Sequence, residues 1–173
     1  MQKEEVNIFW FRRDLRLNDN TGLRAALKAN KPVQCLFIFD TDILEDLPRN
    51  DARVTFIWES LAKINTELKK YDASLLVKTG KVRAVWDELL KDFSINAVYF
   101  NRDYEPKTIA RDKDVRFKIE ASGLQVFDFK DHVFFEKNEV LKSDGTPYTV
   151  FTPYKKKWLA KYVKTNVVIP QDE

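Results

Sequence analysis

Cysteine, histidine and glycine are scarce in this chain of 173 residues, and each scarcity excludes a kind of chemistry. The single cysteine, Cys35, cannot form a disulfide within the chain, and its apolar neighbours predict a buried thiol in a reducing cytoplasm. The single histidine, His132, rules out zinc sites built on paired histidines and disfavours classical hydrolase triads. We therefore predict no metal site.

The glycines also lie too far apart to build the common phosphate-binding loops, because neither G-x-G-x-x-G nor G-x-x-x-x-G-K occurs. Long apolar runs are missing, and residues 1–5 lead into too short an apolar stretch for a signal peptide, so we expect a soluble cytoplasmic protein without a membrane partner. The net charge of +3 is too slight to predict nucleic-acid binding by its field alone.

What the chain does contain is a regular alternation of buried strands and amphipathic helices. Apolar runs predict strands at residues 6–11, 33–39, 74–79, 97–101 and 124–129. One helical stripe between them contains Val54, Ile57, Trp58, Leu61, Ile64 and Leu68, and a second contains Val82, Val85, Trp86, Leu89 and Leu90. Asn20 can cap a helix over residues 21–29, and Pro106 can start one that ends near residue 121.

This alternation predicts an α/β fold, a Rossmann-like doubly wound sheet of five parallel strands with helices on both faces. The strand order does not follow from the pattern. We assign residues 1–130 to this domain. Residues 131–173 are interpreted as an extension with a turn at 143–147, a basic helix at 155–164 and the start of an interdomain linker. The lysines of that helix would attract phosphate, and a solvated helix face explains them equally well.

Four segments together resemble the photolyase and cryptochrome family. W-F-R-R-D-L-R-L at residues 10–17, followed by Asp19 and Asn20, resembles the motif after the family's first strand. N-D-A-R-V at 50–54, N-R-D-Y-E-P at 101–106 with Arg111 and Asp112, and G-T-P-Y-T-V-F-T-P-Y at 145–154 agree in order and spacing. The resemblance covers nearly the whole chain but only the family's amino-terminal α/β domain.

The resemblance implies a light-driven function for the whole protein. Photolyases repair ultraviolet-induced pyrimidine dimers by electron transfer from reduced FAD, and both FAD and the flipped-out lesion sit in a helical domain that this chain lacks. The amino-terminal domain of many members holds a second, antenna chromophore that passes excitation to FAD. The resemblance therefore implies a light-harvesting domain, monomeric and without catalytic residues, that meets UV-damaged DNA only through the missing domain.

Two other functions stay open. The same domain opens cryptochromes, which are photoreceptors that signal through protein partners, and nothing in these residues separates the two. A freestanding nucleotide-binding domain of flavodoxin-like type would share the fold, although the missing glycine-rich loop argues against it.

Ligands of such sheets bind outside the carboxyl ends of the strands, which places the candidate cofactor-binding residues in the loops there. Arg12 can pair with a phosphate or a carboxylate, Asp40 with a ring N–H, and Phe39 can form an apolar wall. Ion pairs within the loops, capping by Asp40 and a solvent-facing charge at Arg53 are the structural alternatives. The predicted set is Trp10, Arg12, Phe39, Asp40, Arg53, Asn101, Asp103 and Glu105.

The identity of the chromophore follows from a departure from the family pattern. Folate-binding members tend to carry an Asn-Glu pair where this chain has Lys107 and Thr108. A cation and a hydroxyl cannot accept the two hydrogen bonds that a pterin edge offers to a carboxylate. Folate is therefore disfavoured, and the prediction is a flavin or deazaflavin antenna, or none.

Overall fold

The computed structural model describes residues 4–165, and the chain divides into two compact units, Met1–His132 and Val133–Glu173. The division into a domain and a linker-like extension at residue 130 stays a prediction. None of the described helices is long and apolar enough to cross a membrane.

The first unit is a five-stranded parallel sheet in the order β3-β2-β1-β4-β5, which confirms the predicted fold class. Its strands are β1 (Glu5–Phe11), β2 (Val33–Asp40), β3 (Leu75–Gly80), β4 (Ser94–Asn101) and β5 (Gln125–Phe129). Its helices are α1 (Thr21–Lys28), α2 (Thr41–Leu44), α3 (Ala52–Leu68), α4 (Val82–Asp92) and α5 (Pro106–Ala121), with a 3-10 turn at Lys69–Tyr71. β4 begins three residues before the predicted strand, and the short α2 was not predicted.

Helix starts follow the capping residues in the sequence. The Asn20 side chain accepts a hydrogen bond from the Leu23 amide at 3.1 Å, and the Asp51 carboxylate accepts one from the Arg53 amide at 2.9 Å. Pro106 opens α5, where its missing N–H costs nothing, and Gly123 takes a positive φ of 83° just after that helix ends. These caps set where each helix leaves the sheet edge.

The sheet separates two hydrophobic cores, because successive side chains of a strand point to opposite faces. Phe9, Phe37 and Tyr99 pack with residues of α1 and α3 on one face. Trp10 and Phe100 pack with residues of α4 and α5 on the other. Helices therefore cover both faces, as predicted.

Trp58 contradicts the predicted core stripe of α3. Its side chain is 62% exposed, whereas Leu61, Ile64 and Leu68 are buried. At 100° per residue, Trp58 lies about 90° from the centre of the stripe formed by those three residues. Its ring lies beside Phe39 instead, with the ring centroids 6.4 Å apart.

The described part of the second unit, residues 133–165, contains a 3-10 turn at Lys137–Glu139 and the helix α6 (Phe151–Lys164). α6 begins four residues before the predicted basic helix, since Pro153 is tolerated in a first turn. Trp158 and Tyr162 stack at 5.2 Å and both contact Phe134. The predicted linker end at 167–173 lies outside the described residues.

Candidate functional site

A cluster of buried amide and carboxylate groups fills the switch point of the sheet. The chain runs outward from β1 to β2 and β3 and then crosses back to β4 on the other side of β1, and folds of this class bind ligands at the point where the strand order reverses. The Asn101 side-chain amide donates to Asp14 Oδ2 at 2.6 Å and to Asn20 Oδ1 at 2.8 Å. Asn20 donates back to Asp14 Oδ2 at 3.2 Å, and all three residues are buried. We call Asp14, Asn20 and Asn101 the amide cluster.

The amide cluster also occupies the start of α1, together with Asp131. The Gly22 amide donates to Asn101 Oδ1 at 2.9 Å, and the Leu23 amide donates to Asn20 Oδ1. The Thr21 amide donates to Asp131 Oδ1 at 3.0 Å. Free amides at such a helix start are what bind phosphate groups in nucleotide-binding folds. Side-chain oxygens of this chain already accept from all three.

A second cluster lies on the opposite face of the sheet, around the Trp10 ring. The Arg12 guanidinium lies 5.3 Å from the Trp10 ring centroid and 4.6 Å from that of Phe100. Its terminal nitrogens donate to Asp112 and to the backbone carbonyl of Asn101. The Arg12 side chain is only 5% exposed, so these partners, and not water, compensate its buried positive charge.

Arg111 completes this second cluster from α5. Its guanidinium lies 5.2 Å from the Trp10 ring centroid, donates to Asp40 Oδ2 at 3.3 Å and reaches Asp112 Oδ1 at 3.1 Å. Two arginines and two aspartates thus balance in charge around one indole ring. We call Trp10, Arg12, Asp40, Arg111 and Asp112 the arginine cluster.

One buried polar atom of the arginine cluster has no hydrogen-bond partner among the described residues. The Nε of Arg12 is buried and makes no hydrogen bond to any residue that the structure describes. A buried N–H without an acceptor costs about 1–3 kcal/mol, so a rearrangement that admitted an acceptor oxygen would stabilise this atom. Asp40 and the Trp10 ring are only 8% and 2% exposed, so a ligand would reach them only after the surrounding side chains move. After such a movement the arginine cluster would supply the donor, the acceptor and the flat ring that a planar heterocycle with carbonyl and N–H edges requires.

Arg13 joins the loops that follow β1 and β4. Its guanidinium lies 2.9 Å from Asp103 Oδ2 and 2.7 Å from Glu105 Oε2. Burial alone would raise the pKa of the Asp103 carboxyl, but the amides of Glu105 and Tyr104 and the charge of Arg13 outweigh it and hold the pKa below its usual value. Asp103 is therefore a stable anion that ties the two loops together.

The structure places the predicted site residues in several locations. Trp10, Arg12 and Asp40 meet in the arginine cluster, whereas Asn101 belongs to the amide cluster on the other face. Phe39 is in the core beneath Trp58. Arg53, whose side chain is 72% exposed, pairs with Asp51 at 2.6 Å. Asp103 and Glu105 bind Arg13.

The predicted set of site residues missed four members of the two clusters: Arg111 and Asp112 of the arginine cluster, and Asp14 and Asn20 of the amide cluster. All four belong to the family-like segments of the sequence, and this was a signal that they have partners.

One group of potential metal ligands exists among the described residues. Asp14, Asp131 and His132 place one ligand atom each within 4.8 Å of one another. Both carboxylates already accept hydrogen bonds, Asp14 from Asn101 and Asp131 from the Thr21 amide. Asp131 is also paired with Arg16 at 2.7 Å. These contacts give the carboxylates a structural role.

The fold and these clusters define a Rossmann-like α/β domain whose switch point is filled by its own side chains. Residues 7–171 match the family described as DNA photolyase, and the chain belongs to that family.

Individual relatives agree with this assignment. A deoxyribodipyrimidine photo-lyase of Synechococcus sp. is 31% identical over 95% of this chain and 34% of its own length. Cryptochrome-1 of Arabidopsis thaliana is 32% identical over 86% of this chain and 22% of its own length. The crystal structure of a Sulfolobus tokodaii photolyase with two FAD molecules, described as implying a novel light-harvesting cofactor, has a TM-score of 0.66 and 33% identity, over 78% of this chain and 32% of that one. The chain spans about a third of the photo-lyase's length.

Proposed function

We propose that this chain is the amino-terminal light-harvesting domain of a light-driven DNA-repair protein of the photolyase type. The match of residues 7–171 to the DNA photolyase family carries the proposal. In this proposal UV-damaged DNA and the catalytic FAD are bound by the rest of the protein, and this domain holds an antenna chromophore. When bound, the chromophore would absorb light and pass the excitation on.

The proposed antenna is of flavin or deazaflavin type. The Sulfolobus photolyase, which contains two FAD molecules and is described as implying a novel light-harvesting cofactor, supports a flavin as the antenna. Against folate, the Lys107 side chain is 97% exposed and has no carboxylate to offer a pterin edge. Glu105 could replace the missing carboxylate only by leaving Arg13, with which it pairs at 2.7 Å.

The arginine cluster is the proposed binding place. Arg12 Nε would donate to a ring carbonyl oxygen, which would satisfy the buried N–H. Asp40 would accept from a ring N–H, provided that Arg111 gives up its 3.3 Å contact with that carboxylate. Arg111 is the partner best able to move, because its side chain is more exposed than that of Arg12.

Flavin titration of an Asp40→Asn variant tests this placement. Asparagine still caps α2, as Asp40 does through the Asp42 amide, but it removes the charge that would hold a ring N–H. The matched control is Asp42→Asn, an exposed carboxylate in the same turn that pairs with Lys81. Arg12 itself is a poorer target, since its loss would remove one of the two guanidinium partners of Asp112 and so disturb the cluster as a whole.

Fluorescence titrations with FMN, a 5-deazaflavin and methenyl-tetrahydrofolate give the readout. We expect a flavin-type ligand to bind more tightly than the folate, and Asp40→Asn to weaken that binding at least about tenfold, or 1.4 kcal/mol. Asp42→Asn should leave the dissociation constant unchanged. Equal effects of both variants, or tighter binding of the folate, would contradict the proposal.

A cryptochrome-type role is the second candidate, because the 32% identity to Cryptochrome-1 is close to the 31% identity to the photo-lyase, although it covers less of this chain. Blue-light repair of a thymine-dimer oligonucleotide by the full-length protein separates the two. Repair supports the photolyase role, and light-dependent binding of a protein partner without repair supports the cryptochrome role. A flavodoxin-like nucleotide site loses support, since side chains already occupy the amides at the start of α1.

A further inference from the structure

A cleft of about 430 Å³ lies between the loop after β1 and the second half of α3. Leu15 and Leu17 of the loop and Ile64 of the helix form its apolar side. Its volume is within the range of small-molecule sites. None of the residues predicted or proposed to bind the chromophore lines this cleft, so it is independent of the proposed function.

The charges around the cleft leave one cation unbalanced. Arg16 is paired with Asp131 at 2.7 Å, and Glu67 is paired with Lys70, also at 2.7 Å. Lys63 also lines the cleft and forms no ion pair with any residue between 4 and 165. The cleft therefore presents a net positive charge beside an apolar surface, which favours a ligand that carries one negative charge.

The shape of the cleft follows from helix geometry. Ser60, Lys63, Ile64 and Glu67 are spaced as i, i+3, i+4 and i+7, so they share one face of α3 over a length of roughly 10 Å. Tyr71 extends the lining beyond the end of the helix. An elongated body can lie along this face with its charged end at Lys63.

We infer that the cleft binds a small amphipathic monoanion, an aromatic or aliphatic body that carries one carboxylate or sulfonate. The body packs on Leu15, Leu17 and Ile64. The anionic group pairs with Lys63, which is exposed and free to move toward it. Arg16 adds to the positive field while it stays bound to Asp131.

Two probes with the same rings test this inference on the 173-residue chain. 8-Anilinonaphthalene-1-sulfonate carries one negative charge, and N-phenyl-1-naphthylamine lacks the sulfonate. Amide NMR shifts locate the binding, and fluorescence titration gives the affinities. We expect saturable sulfonate binding with shift changes at residues 15–18 and 60–71, and at least about tenfold weaker binding of the neutral probe.

Variants of Lys63 test whether its positive charge contributes to binding of the sulfonate. Lys63→Gln should weaken sulfonate binding at least about fivefold, Lys63→Glu should weaken it further, and neither should change the binding of the neutral probe. The control is Lys69→Gln, an exposed lysine just after α3 that does not line the cleft.

The inference is overturned by shift changes elsewhere, by absence of saturable binding, by equal affinities of the two probes, or by sulfonate binding that survives Lys63→Glu. None of these results bears on the chromophore proposal, whose site contains none of these residues.

Discussion

Replacing Gly22 by alanine should destabilise this protein, although glycine-to-alanine changes in most helices are stabilising. A Cβ atom at position 22 would lie 2.8 Å from Asn101 Oδ1, 2.9 Å from a ring carbon of Phe9 and 3.3 Å from the backbone carbonyl carbon of Phe100. Asn101 cannot retreat cheaply, because its amide is held by Asp14 and Asn20. The added methyl group therefore has to distort the amide cluster.

The size of the effect follows from three contributions. Loss of the buried hydrogen bond from the Gly22 amide to Asn101 costs about 1–3 kcal/mol. Overpacking against Phe9 and Phe100 costs about 1–3 kcal/mol more. The higher helix propensity of alanine returns at most about 1 kcal/mol. We expect the free energy of unfolding to fall by roughly 2–4 kcal/mol.

Urea unfolding followed by circular dichroism measures this change. The matched background is Asn101→Ala, in which the closest contact is gone, so Gly22→Ala should cost at least about 1 kcal/mol less there than in the wild type. The reasoning is refuted if Gly22→Ala alone is neutral or stabilising, or if its cost is the same in both backgrounds.

Three further predictions concern single side chains. Burial raises the pKa of the Cys35 thiol to about 12, so the native protein should resist a thiol reagent at mildly alkaline pH and react only when unfolded; rapid native labelling would contradict this. The pKa of the Asp103 carboxyl is held below its usual value in the folded state, so its stabilisation is present above the pKa of the unfolded state and is lost as the pH falls through the folded pKa. Asp103→Asn should therefore flatten the acid side of the stability profile, and an unchanged profile would argue against the Arg13 contact. Trp58→Phe should remove the largest share of acrylamide-quenchable tryptophan fluorescence, because Trp10 and Trp86 are buried and Trp158 is less exposed than Trp58; unchanged quenching would place Trp58 in the core.

The fold class could be predicted because its signals are local. Strands buried on both faces read as unbroken apolar runs, and the caps Asn20 and Pro106 stand at the helix starts they predicted. The strand order could not be predicted, because the direction in which each helix crosses the sheet leaves no local mark. Trp58 was misplaced because a run of apolar residues on α3 is wider than the strip of that helix that meets the sheet.

The sequence predicted where the site residues lie, at the ends of strands, but not which residues they contact. Arg12, Asp40 and Asn101 stand at strand ends, as expected for a parallel sheet. Their pairing depends on contacts between distant residues, such as Arg12 with Asp112, 100 positions apart, and Asn101 with Asp14, 87 positions apart. The prediction put Trp10, Arg12 and Asn101 in one site. Side chains alternate along β1 and β4, however, and Trp10 and Arg12 point to one face of the sheet while Asn101 points to the other.

The oxygens that close the start of α1 have a consequence for synthesis on the ribosome. The Gly22 amide gains its acceptor only when Asn101 is synthesised, 79 residues later, and the Thr21 amide only when Asp131 is synthesised, 110 residues later. At translation rates of about 5–20 residues per second, the second of these partners arrives roughly 5–20 s after the helix itself. The Leu23 amide has its local acceptor in Asn20, but the Gly22 and Thr21 amides lack their native acceptors until those residues are made, so we expect the nascent helix to fray at its start. The amide cluster can form only after residue 101 has left the ribosome, and the start of α1 is complete only after residue 131 has.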